Sequence, residues 1–196
     1  MASAVSAGEI TNPFGRRFYK TVFALIIAAL LGNVFFPTTK EMAAILVVPQ
    51  IANSEKVQAE IIADGFHIHP ASVRLAFTMF RNRMVLVSDS GRCAGKDEGY
   101  QFDLGGQMAE IRGGVAKLVG TETIACSASN MWACLKNVLS WGIPEEEAVR
   151  AATYNPAKAI GALDVVGSIE EGKRADFLVV TPGYESYRVF LAGKEI

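Results

Sequence analysis

Four consecutive apolar residues, Met84 to Val87, run straight into Ser88, Asp89 and Ser90. A strand that is apolar at every position has both faces covered, as in a parallel sheet packed between helices. An ionisable residue at the mouth of such a strand is how an α/β enzyme presents a chemical group to its substrate. A second segment, A-D-G-F-H-I-H-P from Ala63 to Pro70, holds the only two histidines of the chain, His67 and His69. Two imidazoles alone cannot build a histidine-rich metal site.

The flanking pattern extends this α/β reading. Glu60 to Ile68 reads as a strand carrying Ile61, Ile62, Phe66 and Ile68. Pro70 and Ser72 then open an amphipathic helix to about Phe80, apolar at Val73, Ala76, Phe77 and Phe80. With the Met84 strand these elements make a βαβ unit. Strands at Gln101 to Leu104, Met108 to Arg112 and Ala116 to Val119, parted by glycine pairs at 105–106 and 113–114, read as an antiparallel meander. Helices are expected over Ser127 to Leu139, closed by Gly142, and from Pro144 to about Tyr154. The second starts with proline and three glutamates at the positive end of its dipole. A short helix from Asn155 to Gly161 and strands at Asp176 to Val180 and Tyr187 to Leu191 follow.

The first 58 residues have a different texture. Arg16, Arg17 and Lys20 precede nineteen uncharged residues, Thr21 to Thr39, and Met42 to Ile51 is a second apolar run broken by Pro49. The length approaches what a bilayer crossing needs, and the basic flank would hold the N-terminal side in the cytoplasm. A membrane-associated segment and a buried core helix both fit. A polar stretch, Asn53 to Gln58, sets the main boundary, giving an apolar segment over 1–58 and an α/β region beyond. A net charge of −1 and a pI near 6.2 give no reason to expect a nucleic acid partner, while a small anionic substrate needs only a local positive site. Three cysteines without paired short spacing, Cys93, Cys126 and Cys134, read as reduced cytosolic thiols.

The residues themselves leave several chemical roles open. Asp89 can take a proton from an attacking water and return it to a leaving amine, or it can cap a helix N-terminus. On a regular strand His67 and His69 face opposite sides, so they form no chelating pair. One can face a substrate, or both can be structural. The glycine pairs match no phosphate-binding loop and read as turns, and no nucleophile elbow is present.

Taken in order, A-D-G-F-H-I-H-P, V-L-V-S-D-S, D-L-G-G-Q, T-I-A-C-S-A, A-A-T-Y-N-P-A-K-A-I-G and G-S-I-E-E-G-K-R-A-D-F-L-V-V form a set. This set resembles the C-terminal part of the N-acetylglucosamine-6-phosphate deacetylase branch of the amidohydrolase superfamily, over residues 59 to 196. The resemblance implies the last two strands of a (β/α)₈ barrel over 59–160 and strands of a small β-sandwich over 161–196. It implies hydrolysis of the acetamide of N-acetylglucosamine 6-phosphate to glucosamine 6-phosphate and acetate. Asp89 matches the family's catalytic acid/base, and His67 matches a histidine that contacts the amino sugar phosphate. Ile124, Ala125 and Cys126 match a substrate-lining loop, where the family usually has glycine in place of Cys126. A divalent metal, zinc or iron, a cytoplasmic location and a homo-oligomer are also implied.

The metal ligands of that family, a glutamate and two histidines, lie on earlier barrel strands, and residues 1 to 58 contain no histidine. Three readings follow: a truncated or fused deacetylase, a membrane-anchored or assembly protein carrying a non-catalytic remnant, or a chain completed by a separate polypeptide with the first six strands. A protein without the metal platform loses the activated water that does the chemistry. The isolated chain is therefore expected to release little acetate from N-acetylglucosamine 6-phosphate with zinc or iron added. Turnover near that of a full-length enzyme would contradict this.

Overall fold

The computed structural model describes Ser54 and residues 57–196. The apolar runs over 21–39 and 42–51, with the membrane contact expected of the former, lie outside the described residues. No helix among the described residues is long and apolar enough to cross a membrane.

The βαβ unit forms as its sequence predicts. Strand β1 (Ala59–Ile62) pairs in parallel with β2 (Met84–Val87), with Ala59 opposite Met84 and Ile62 opposite Val87. Helix α1 (Pro70–Phe80) crosses between them. Its buried residues Val73, Ala76, Phe77 and Phe80 recur at the three- and four-residue spacing that keeps one face inward. That face joins Ile61, Met84 and Leu86 in the main core. Helices α2 (Met131–Ser140) and α3 (Glu145–Ala152) close the core with Cys134, Leu135, Val138, Ala148 and Ala151. Helix α4 (Tyr154–Ile160) ends at Gly161 in the left-handed conformation, φ 75°.

β1 is shorter than the expected strand over Glu60 to Ile68. Asp64 and Gly65 (φ 89°) turn the chain out of the sheet. The Asp64 side chain then binds the backbone N–H groups of Phe66 and His67 at 3.0 Å each, so this stretch cannot continue the ladder. His67 and His69 are therefore on a loop and not on alternate faces of a strand. His69 is the N-cap of α1, its Nδ1 accepting from the Ala71 N–H at 3.2 Å.

The meander is a four-stranded antiparallel sheet, β3 (Gln101–Leu104), β4 (Gln107–Arg112), β5 (Val115–Leu118) and β6 (Ile124–Cys126). Both glycine pairs have positive φ at the two central residues of two-residue hairpins, as a type I′ turn requires. Phe102, Ala109, Ile111, Ala116, Cys93 and Cys126 form its separate small core. The substrate-lining loop expected at 124–126 is thus a strand. Helix α2 begins at Met131, four residues later than expected, because the backbone of Ser127 is held by Asp89 and Gly91. Asn130 caps it instead, accepting from the Ala133 N–H at 2.9 Å.

A third sheet, β7 (Phe177–Val180), β8 (Tyr187–Leu191) and β9 (Lys194–Glu195), is antiparallel throughout. It meets the helices at Trp132, whose ring lies 4.5 Å from that of Tyr187 and 5.8 Å from that of Tyr184.

One buried amide ties α4 to the sheet. Asn155, 1% exposed, donates its Nδ2–H to the Met84 carbonyl at 2.7 Å, at the point where β2 begins. Removing the donor takes from this buried carbonyl its partner on α4. Asn155→Ala is expected to lower stability by about 1–3 kcal/mol in urea unfolding. An unchanged midpoint would mean that the bond contributes nothing.

Candidate active site

β1 and β2 run parallel, so their C-terminal ends open on the same side, and the residues beyond them meet there. Asp64 follows β1 by two residues, His67 by five, and Asp89 follows β2 by two. The His67 Nδ1 lies 2.8 Å from Asp64 Oδ2, and its Nε2 lies 3.4 Å from Asp89 Oδ2. One imidazole therefore stands between two carboxylates of contrasting setting. The Asp64 side chain is 0% exposed, that of His67 18%, and that of Asp89 45%.

Burial and hydrogen bonding set the charges. Burial alone would raise the Asp64 carboxyl, but the His67 ring and the backbone N–H groups of His67 and Phe66 outweigh it and hold it down at about 2. Asp64 in turn raises His67 above its ordinary value, against the opposing effect of burial, and Asp89 adds to the rise. The Asp89 carboxyl is also raised: burial pushes it up, His67 pulls it down, and the Asp64 charge pushes it up again. Asp64 is thus the permanent anion, while Asp89 is moved toward the range in which a carboxyl can exchange protons.

Asp89 is not a helix cap. Its φ is +52°, and its carbonyl accepts from the Ser127 N–H at 2.9 Å, while the Ser127 carbonyl accepts from Gly91 N–H at 3.1 Å. Ser90 and Ser127 form a parallel bridge. The Ser90 hydroxyl also donates to the Ser129 carbonyl. These bonds lay the exit of β6 beside the exit of β2. Left-handed backbone is uncommon for a non-glycine residue and clusters at functional sites.

Of the other expected residues, Ile124 and Ala125 are half-buried on β6. Cys126 is buried, with its Sγ 3.7 Å from that of Cys93 and directed into the small core. Its thiol is pushed up to about 11, chiefly by burial and then by Cys93, and is therefore neutral. His69 is taken up in its capping role. Two surface clefts, of about 470 and 620 Å³, are lined by residues of the helices and of the segments that join or follow them, and include none of these side chains. Asp64 is the residue that motif reading passes over. The signal was present: an Asp-Gly pair at the end of an apolar strand, with a histidine three residues on.

A family model described as Amidohydrolase family matches residues 49–196. The chain belongs to the amidohydrolase family. Amidohydrolases generally depend on a divalent metal. Among the described residues no group of three or more His, Cys, Asp and Glu side chains can hold one, so the described part does not fit a complete metal centre. N-acetylglucosamine-6-phosphate deacetylase of Caenorhabditis elegans is 34% identical over 137 residues, which are 69% of this chain and 32% of that protein. N-acetylgalactosamine-6-phosphate deacetylase of Escherichia coli O157:H7 is 31% identical over 136 residues, 36% of its length. The crystal structure of N-acetylglucosamine-6-phosphate deacetylase from Pasteurella multocida superposes with a TM-score of 0.68 at 30% identity, covering 74% of this chain and 38% of that one. A mutant of the Mycobacterium smegmatis enzyme in complex with N-acetyl-D-glucosamine-6-phosphate gives 0.67 at 30% identity, covering 74% of this chain and 39% of that one. The chain spans about a third of the length of the first of these curated amidohydrolases, and 80% of a shorter Escherichia coli K12 relative.

The close approach of β2's exit to β6 explains one glycine. A Cβ on Gly91 would fall 2.3 Å from the Cys126 Sγ. Gly91→Ala is expected to cost about 1–3 kcal/mol by overpacking. Adding Cys126→Ala should recover about 1 kcal/mol or more of that loss as coupling in a double-mutant cycle. Strictly additive costs in denaturant titrations would show that the contact is not what excludes a side chain at 91.

Proposed function

We propose that residues 57–196 form the acid/base end of an amino sugar phosphate deacetylase, acting in the cytoplasm on N-acetylglucosamine 6-phosphate or its galactosamine epimer. The observation that carries this reading is the placement of Asp89 beside His67 at the C-terminal ends of two parallel strands, in a chain about 30% identical to deacetylases over the same stretch.

In this reading Asp89 takes a proton from the water that adds to the acetyl carbonyl carbon. It gives that proton to the sugar nitrogen as the C–N bond breaks, so that acetate and the free amine leave. Its raised, half-exposed carboxyl suits both halves of the transfer. His67 contacts the substrate through Nε2, and Ile124 and Ala125 on β6 line the substrate in this reading. Cys126 supports that strand from the core side. The metal, zinc or iron in this reading, requires ligands beyond those the described residues can supply as a group.

A chimera tests the reading directly. Residues 57–196 replace the matching stretch of a full-length deacetylase relative, and acetate release is measured with both sugar phosphates. Turnover is expected, and Asp89→Asn should lower kcat by about 10²–10⁴. A folded, metal-loaded chimera that hydrolyses neither sugar, or one indifferent to Asp89→Asn, would overturn it.

A further inference from the structure

Asp64 is the only charged residue fully buried among the described residues. Its two oxygens do different things. Oδ1 accepts the backbone N–H groups of Phe66 and His67, at 3.0 Å each, and so builds the turn that ends β1. An asparagine oxygen would serve that turn as well. Oδ2 faces the His67 ring at 2.8 Å, and turn formation gives no account of this second contact. The turn is itself anchored from α2, where Asn137 Nδ2–H donates to the Ala63 carbonyl at 2.9 Å, so the carboxylate is presented from a fixed base.

An ionised carboxylate only accepts. The ring nitrogen facing it must therefore carry hydrogen, which leaves Nε2 as the atom beside Asp89. Resting on the deacetylase reading, we propose that Asp64 is a positioning residue. By accepting the His67 Nδ1–H it fixes both the orientation and the tautomer of the ring, so that Nε2 is held at 3.4 Å from Asp89 on the substrate side. A neutral ring then offers Nε2 as an acceptor to a substrate hydroxyl or to protonated Asp89. A protonated ring offers N–H to a phosphate oxygen or to the Asp89 carboxylate. Among the described residues, the ionisable groups facing the ring are these two carboxylates. Cys134 on α2 adjoins Asp64 as a neutral thiol, pushed up to about 11 by burial and then by the Asp64 charge.

The chain holds two histidines, which makes the test direct. The full chain is labelled with ¹⁵N-histidine and its ring nitrogens are followed by NMR from about pH 5 to about pH 10, which brackets histidine titration. His69→Gln identifies the His67 signals. His69 is an internal contrast, since its Nδ1 accepts a backbone N–H and its proton belongs on Nε2. Above its midpoint His67 is expected to keep hydrogen on Nδ1, with that midpoint above the ordinary histidine value. Asp64→Asn retains the turn-forming oxygen but turns an NH₂ toward the ring. It should invert His67 to the Nε2–H tautomer and lower the midpoint. A wild-type ring protonated on Nε2, or exchanging freely between tautomers, would overturn the proposal, as would Asp64→Asn with an unchanged His67 pattern. If that variant fails to fold, the wild-type spectrum alone decides. The spectrum does not depend on turnover. An Nδ1–H ring in a chain whose chimera is inactive therefore counts against the deacetylase reading and not against the placement by Asp64.

Discussion

A carboxylate taken wholly out of water must be met by donors or it costs several kcal/mol, and the Asp64 side chain meets three. Each donor belongs to the five residues that follow β1. The need to satisfy one buried anion thus ends the strand, closes the turn and orients the imidazole. Asp89 depends on it in turn, because the ring that flanks Asp89 is supported from the far side by Asp64. The same charge that steadies the histidine also resists ionisation of the second carboxylate. Two chemically identical side chains at the ends of neighbouring strands are thereby given different protonation behaviour by exposure and partners alone.

The βαβ unit and the meander meet along the exit of β2. Ser127 bonds Asp89 and Gly91 through its backbone, and this bridge is the seam between the βαβ unit and the meander. Its closeness leaves no room for a Cβ at position 91 opposite the Cys126 thiol. Phe66 makes a second link: its ring lies where a Cβ on Gly114 would come within 2.9 Å, over the turn between β4 and β5. The loop bearing His67 is therefore braced by the meander as well as by α2.

Local signals in the chain were sufficient for elements whose cause is local. Helix α1 follows from Pro70 and the spacing of Val73, Ala76, Phe77 and Phe80, and β8 from the run Tyr187 to Leu191. Elements set by long-range partners depart from the local pattern. Ser127 has the chemistry of a helix start, but its backbone is engaged by residues 36 to 38 positions earlier, and Asn130 takes over the cap. Ile68 fits a strand pattern, yet the side-chain turn at Asp64 ends β1 at Ile62. At the site, Asp89 was legible from its place after an apolar strand. Its left-handed backbone and its approach to His67, 22 residues away, depend on how the strands pair.

The two tryptophans occupy different junctions. Trp132 is wedged against Tyr184 and Tyr187, where the C-terminal sheet meets α2, and Trp141 ends α2 close to Gly65 in the turn that carries His67. Indole emission responds to its immediate surroundings, so the chain contains two built-in optical reporters. One senses whether the last sheet is docked, and the other senses the state of the loop beneath the imidazole.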